Sequence, residues 1–124
     1  MKKVIFLFVF FFFAAVALQA QLSQTKWKGT LQLDSPIEVV FDFGKDTVNV
    51  YTVADNSGLE TMLFTAKDGM LTIKKVVGQS SCDDQITGKY KIDLNNDEML
   101  FTLVSDDCAD RANVLNKSKW IKAK

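Results

Sequence analysis

The chain has 124 residues, with fifteen basic side chains, fifteen acidic side chains and no histidine. So even a balance excludes a nucleic-acid binder, which needs a basic stripe to neutralise phosphates, and a polybasic membrane-surface protein. The missing histidine removes the usual general base and the centre of a catalytic triad, so a non-enzyme is expected.

The chain opens with Lys2 and Lys3, and Val4 to Leu18 then run without a polar side chain. Gln19 and Ala20 follow, and the whole stretch 1–20 reads as a secretory signal peptide. The apolar run is shorter than the ~20 residues a bilayer-spanning helix needs. It has no second copy, so no membrane span is expected once the signal is removed. Gln21 stands where a lipoprotein signal would carry Cys, so no lipid anchor is implied. The remainder, 21–124, is expected to be a single exported domain, periplasmic or extracellular. Without Lys2 and Lys3 it carries thirteen basic against fifteen acidic side chains, formally −2.

Export decides how the two cysteines read. An even pair in a small exported domain favours a disulfide, here Cys82–Cys108. The closed loop of about 27 residues corresponds to roughly 3.5 kcal/mol in the chain-entropy account. Two Cys without any His supply too few soft ligands for zinc, and no metal or cofactor is expected.

From Thr30 onward, apolar and polar residues alternate along most of the chain. Leu31 and Leu33 begin the series. Ile37, Val39, Phe41 and Phe43 share one face after Pro36, and Val48 and Val50 follow. Leu59 to Ala66 alternates with either Leu63 or Phe64 inward, and Leu71 and Ile73 come next. The clearest run sets Ile86, Gly88, Tyr90, Ile92 and Leu94 against Thr87, Lys89, Lys91 and Asp93. Met99, Phe101 and Leu103 continue it, and Lys119 to Ala123 suits a last short strand. Period two with one apolar face is the signature of half-buried strands. Turn residues separate the runs at 34–36, 44–46, 55–58, 67–69 and 95–97, and their Asp-Gly and Asn-rich tips favour tight hairpins.

Seven or eight strands joined by short turns make an antiparallel meander. The segment 106–116 departs from the alternation and reads as a short helix before the last strand, with Asp106 or Asp107 placed to cap it. Closure removes both exposed edges of such a meander, so the expected fold is all-β: an up-and-down β-barrel of about eight strands. An open two-sheet sandwich is the alternative.

Trp27 on the first strand, followed late in the chain by Cys108-Ala109-Asp110-Arg111 and Trp120, resembles the lipocalin and wider calycin barrels. The chain looks like the short secreted bacterial lipocalin-like proteins, which share the Gly88-Lys89-Tyr90 strand, the paired Cys and the Cys-x-x-Arg spacing. The resemblance implies that Trp27 plugs one end of the barrel and that Arg111 packs across its ring. The family's glycine two positions before the Trp is replaced by Thr25, with glycine at 29 instead.

Phe41, Phe43, Tyr90, Ile92, Phe101 and Leu103 are the residues expected to line an apolar pocket for a small hydrophobic ligand. A solidly filled core is the competing reading, since eight strands leave an interior just wide enough to be packed. Asp83-Asp84 and Asp106-Asp107 are the carboxylate pairs, read as loop and capping residues. The rival function is a protein-binding module, such as a periplasmic protease inhibitor, making contact through loop 55–58 or the 21–25 arm. Nothing in the sequence sets the oligomeric state.

Overall fold

The alternating runs do become strands, and their one apolar face becomes the inside of a closed cylinder. In the computed structural model, which describes residues 17–124, eight strands follow one another in chain order: β1 Thr25–Leu31, β2 Ile37–Phe43, β3 Thr47–Thr52, β4 Gly58–Lys67, β5 Met70–Gly78, β6 Thr87–Asn95, β7 Glu98–Asp106 and β8 Lys119–Ala123. Each pairs antiparallel with its neighbour, and β8 returns to β1 through Lys26↔Ala123, Trp27↔Lys122 and Lys28↔Ile121. The barrel is therefore closed and the sandwich alternative is set aside. Among the described residues, closure leaves no full-length edge strand to recruit another chain.

Side-chain alternation fixes which face turns inward. On β2, Val39, Phe41 and Phe43 are buried, and on β4 Phe64 is buried while Leu63 is 46 % exposed. A one-residue slip would put Phe64 in water, so the register is strongly specified. The tips bear the expected turn chemistry: Asn56, Asp68, Gly69 and Asn96 all have positive φ. Asp68-Gly69 joins β4 to β5 with both residues in that region, as a two-residue hairpin requires.

Up-and-down order gives the barrel two distinct ends. The β2–β3, β4–β5 and β6–β7 turns gather at one end, here the floor. The longer segments 32–36, 53–57, 79–86 and 107–118 gather at the other, the mouth. A short helix, α1 (Leu18–Leu22), lies against the floor, and α2 (Ala109–Leu115) lies at the mouth. The expected signal peptide, 1–20, falls mostly on residues outside the described range; its end, Leu18 to Ala20, forms the start of α1.

The last strand is short, and that shapes the mouth. β8 pairs only with 98–100 of β7 and 26–28 of β1. Above it α2 stands beside β7, with Leu115 and Ala112 buried and the Leu103 amide donating to Asn116 Oδ1 at 3.0 Å. β5 and β6 also separate early, pairing only from Met70↔Lys91 to Lys74↔Thr87. The barrel is thus tight below and spread above.

Candidate functional site

The lower interior is filled with rings. Phe41 stacks on Trp120 with centroids 4.2 Å apart, Phe101 meets the same indole at 5.9 Å, and Phe43 meets Phe64 edge-on at 5.0 Å. Gly29 is needed for this arrangement. A Cβ there would stand 2.6 Å from the Trp120 ring, closer than any side chain tolerates. Trp120 is fully buried and donates from Nε1 to Ser118 Oγ at 2.9 Å, so the polar end of the indole is satisfied.

Above the rings lies a cavity of about 780 Å³ opening at the mouth. Leu31, Ile37, Val50, Leu59, Met62 and Leu115 line its walls, and Phe41 also borders it. Its size falls in the range of small-molecule sites, and so does its mainly apolar lining.

A polar clamp holds α2 beside this cavity. Arg111 is only 7 % exposed. Its Nε donates to Asp106 Oδ2 at 2.6 Å, and its Nη2 donates to Asp106 Oδ1 at 2.9 Å and to the Ile86 carbonyl at 3.1 Å. The Tyr90 hydroxyl donates to Asp106 Oδ2 at 2.6 Å, and the Cys108 amide donates to Oδ1 at 2.9 Å. Gly88 makes room for this knot, because a Cβ there would lie 2.5 Å from Asp106 Oδ2. Beside it the Cys82–Cys108 disulfide ties segment 79–86 to the start of α2, with Cα atoms 5.4 Å apart.

Burial and hydrogen bonding pull the clamp's pKa values in opposite directions. Burial works to raise the Asp106 carboxyl, but the bonds from Arg111, Tyr90 and the Cys108 amide outweigh it and hold the group below its ordinary value. Tyr90 moves well up, first through burial and then because its hydroxyl donates to an anion. The clamp at neutral pH is therefore a carboxylate, a guanidinium and a neutral phenol.

A second polar pair lies in the β4–β5 wall. Glu60 Oε2 accepts from the Ser80 amide at 3.2 Å, while Lys75 donates to the Ser80 carbonyl at 2.7 Å and stands 3.9 Å from Glu60 Oε1. Glu60 Oε1 and Arg111 Nη1 are buried without a hydrogen-bond partner among the described residues. Both side chains border the cavity.

Of the six residues expected to line a pocket, only Phe41 borders the cavity. Phe43, Ile92 and Phe101 belong to the packed core, Tyr90 joins that core to the clamp, and Leu103 packs against it half-buried. Trp27 and Arg111 are not brought together. Trp27 is buried near the floor, donating from Nε1 to Thr25 Oγ1 at 2.9 Å. Arg111 rides on α2 at the opposite end, its guanidinium directed at Asp106 and Ile86. The indole pressed on a glycine in mid-barrel is Trp120, to which the resemblance gave no role.

Neither Asp106 nor Asp107 caps α2: its N-cap is Cys108, with no side-chain cap bond, because Asp106 is turned inward to Arg111. Asp83 closes a turn by accepting from the Gln85 amide at 2.9 Å. The 21–25 arm is docked rather than free, with Leu22 fully buried and the Gln24 amide donating to the Phe43 carbonyl at 2.9 Å. Loop 55–58 is exposed.

The closed eight-stranded antiparallel barrel, with a short helix before its last strand, is compatible with a lipocalin-like fold. Comparison with family models, with curated proteins and with solved structures finds no match to this chain.

Proposed function

We propose that this is a small exported lipocalin-like barrel that holds a hydrophobic small molecule in its mouth and performs no chemistry on it. The observation that carries the reading is the ~780 Å³ cavity, with Leu31, Ile37, Val50, Leu59, Met62 and Leu115 along its barrel walls and polar residues at its rim, above a ring-filled floor. A chain this short gains stability from every apolar contact. Keeping the upper barrel hollow forgoes such contacts, and a ligand that fills the space restores them on binding. Of the titratable groups that line the cavity, Arg111 is tied to Asp106, Glu60 accepts from the Ser80 amide, Asp110 accepts from the Ser81 hydroxyl, and Asp34 is exposed at the rim. They serve as walls and clamps.

Titration of the purified oxidised protein with a fluorescent fatty-acid probe tests the reading. Saturable one-to-one binding, displaced by an unlabelled long-chain compound, is the expected result. No saturable signal with probes of several chain lengths, and no bound small molecule in native mass spectra of protein isolated from the cell envelope, would overturn it.

A further inference from the structure

The floor of the barrel is made partly by α1, whose first three residues, Leu18 to Ala20, the leader reading assigns to the signal. Leu18 and Leu22 are buried in the same core as the barrel strands. Between them, the Gln19 carboxamide donates from Nε2 to the Lys45 carbonyl at 2.9 Å and accepts from the Ala66 amide at 2.7 Å. It thereby joins the β2–β3 turn to the end of β4. The Gln19 carbonyl in turn accepts from the Ser23 amide at 2.9 Å and the Ser23 hydroxyl at 2.7 Å. The two bonds reach backbone groups 26 and 47 residues away.

We propose that export processing cuts between Ala17 and Leu18, not after Ala20, so that α1 remains on the mature protein as the floor of its barrel. The proposal rests on the export reading of the leader. Two observations favour this bond. Ala15-Val16-Ala17 places small residues at both the third and the first positions before the cut, the pattern that leader processing selects. A cut after Ala20 would put Leu18 at the third position. The products also differ in what they retain. Cutting after Ala17 removes a carbonyl that accepts from the Ala20 and Gln21 amides, and both those residues are exposed, so water replaces it. Cutting after Ala20 removes buried Leu18 and the whole Gln19 bridge, leaving the Ala66 amide and Lys45 carbonyl without these partners. Two residues of α1 then remain, too few to form a turn that holds Leu22 in place.

The test is the N-terminus of the chain expressed from its full sequence in a bacterial host and recovered from the envelope fraction, read by intact mass and N-terminal sequencing. A chain beginning at Leu18 is expected. A chain beginning at Gln21 would overturn this inference and leave the export reading standing. An unprocessed chain retained in the cytoplasm would overturn both. In parallel, oxidised chains 18–124 and 21–124 are compared by thermal unfolding. The shorter is expected to melt lower by roughly 10 °C or more, and equal midpoints would remove the floor role of α1.

Discussion

Near Trp120 and below it, ring touches ring across the barrel; above it, aliphatic side chains from β1 to β4 face one another across open space. The two halves are held by different means. The lower half relies on dispersion and burial among Phe41, Phe43, Phe64, Phe101 and Trp120, and its strands close all the way round. The upper half has gaps between β5 and β6 and between β7 and β1, and it compensates with directional and covalent ties: the Asp106–Arg111–Tyr90 knot, the Glu60–Lys75 pair and the disulfide. Tyr90 belongs to both, its ring 5.9 Å from Phe101 and its hydroxyl on Asp106. A barrel can stay hollow at one end when its packing is concentrated at the other and the rim is fixed by bonds that do not depend on filling the interior.

The strongest way to break this division is to remove the central ring. Trp120→Ala should cost about 3–5 kcal/mol, the range for deleting a large buried aromatic, measured by urea unfolding of the oxidised protein. A loss below about 1 kcal/mol would mean that the lower half is not the stabilising one. Gly29→Val, which drives a side chain into the same indole, should act in the same direction.

Next comes the rim. Replacing both cysteines by Ala should lower stability by about 3.5 kcal/mol if the constraint acts mainly on the unfolded chain. It should also weaken probe binding, because segment 79–86 forms part of the cavity wall through Gln79, Ser80 and Ser81. Unchanged affinity in a protein that remains folded would show that the mouth is shaped without the disulfide.

The division also explains what could be read from the residues alone. Strand order, turn chemistry, the helix before the last strand and the cysteine pairing were all legible, because each depends on local period or on export. The pocket lining was not. Choosing the large inward-facing side chains selects the residues that fill space, and Phe43, Ile92 and Phe101 fill it. A cavity lies where inward positions carry smaller residues, here Leu31, Val50 and Leu59 toward the mouth ends of their strands, and that signal was present in the sequence. Trp120 over Gly29 was out of reach, since it depends on the β1–β8 closure between residues about ninety positions apart. Leu22 was read as part of a flexible arm and Gln19 as part of the leader, and their burial and bridging depend on contacts with the β2–β3 turn and β4, far along the chain.

The acid and alkaline limits should separate the clamp from the core. Asp106 sits below its ordinary 3.8 in the folded state. Its contribution is therefore fully present above that value and is lost as pH falls through the lower folded one. Tyr90 sits above its ordinary 10.0. The unfolded chain ionises first there, and stability falls as pH rises past 10. Chemical unfolding across pH should show a plateau with a decline at each end. Tyr90→Phe should flatten the alkaline decline, and an unchanged slope would place its cause on other groups.

The smallest effect on stability should accompany the largest on binding. Leu31 ends β1, is only partly buried and lines the cavity. Leu31→Trp places an indole where there is open space, so no existing contact has to give way. Leu31 packs against the edge of the core, and with the added ring extending into the cavity stability should change by less than about 1 kcal/mol. The fatty-acid probe should lose tenfold or more in affinity because the added ring occupies its volume. A large destabilisation would show that the upper interior is already filled around Leu31. Unaltered binding in a stable variant would move the ligand away from this cavity.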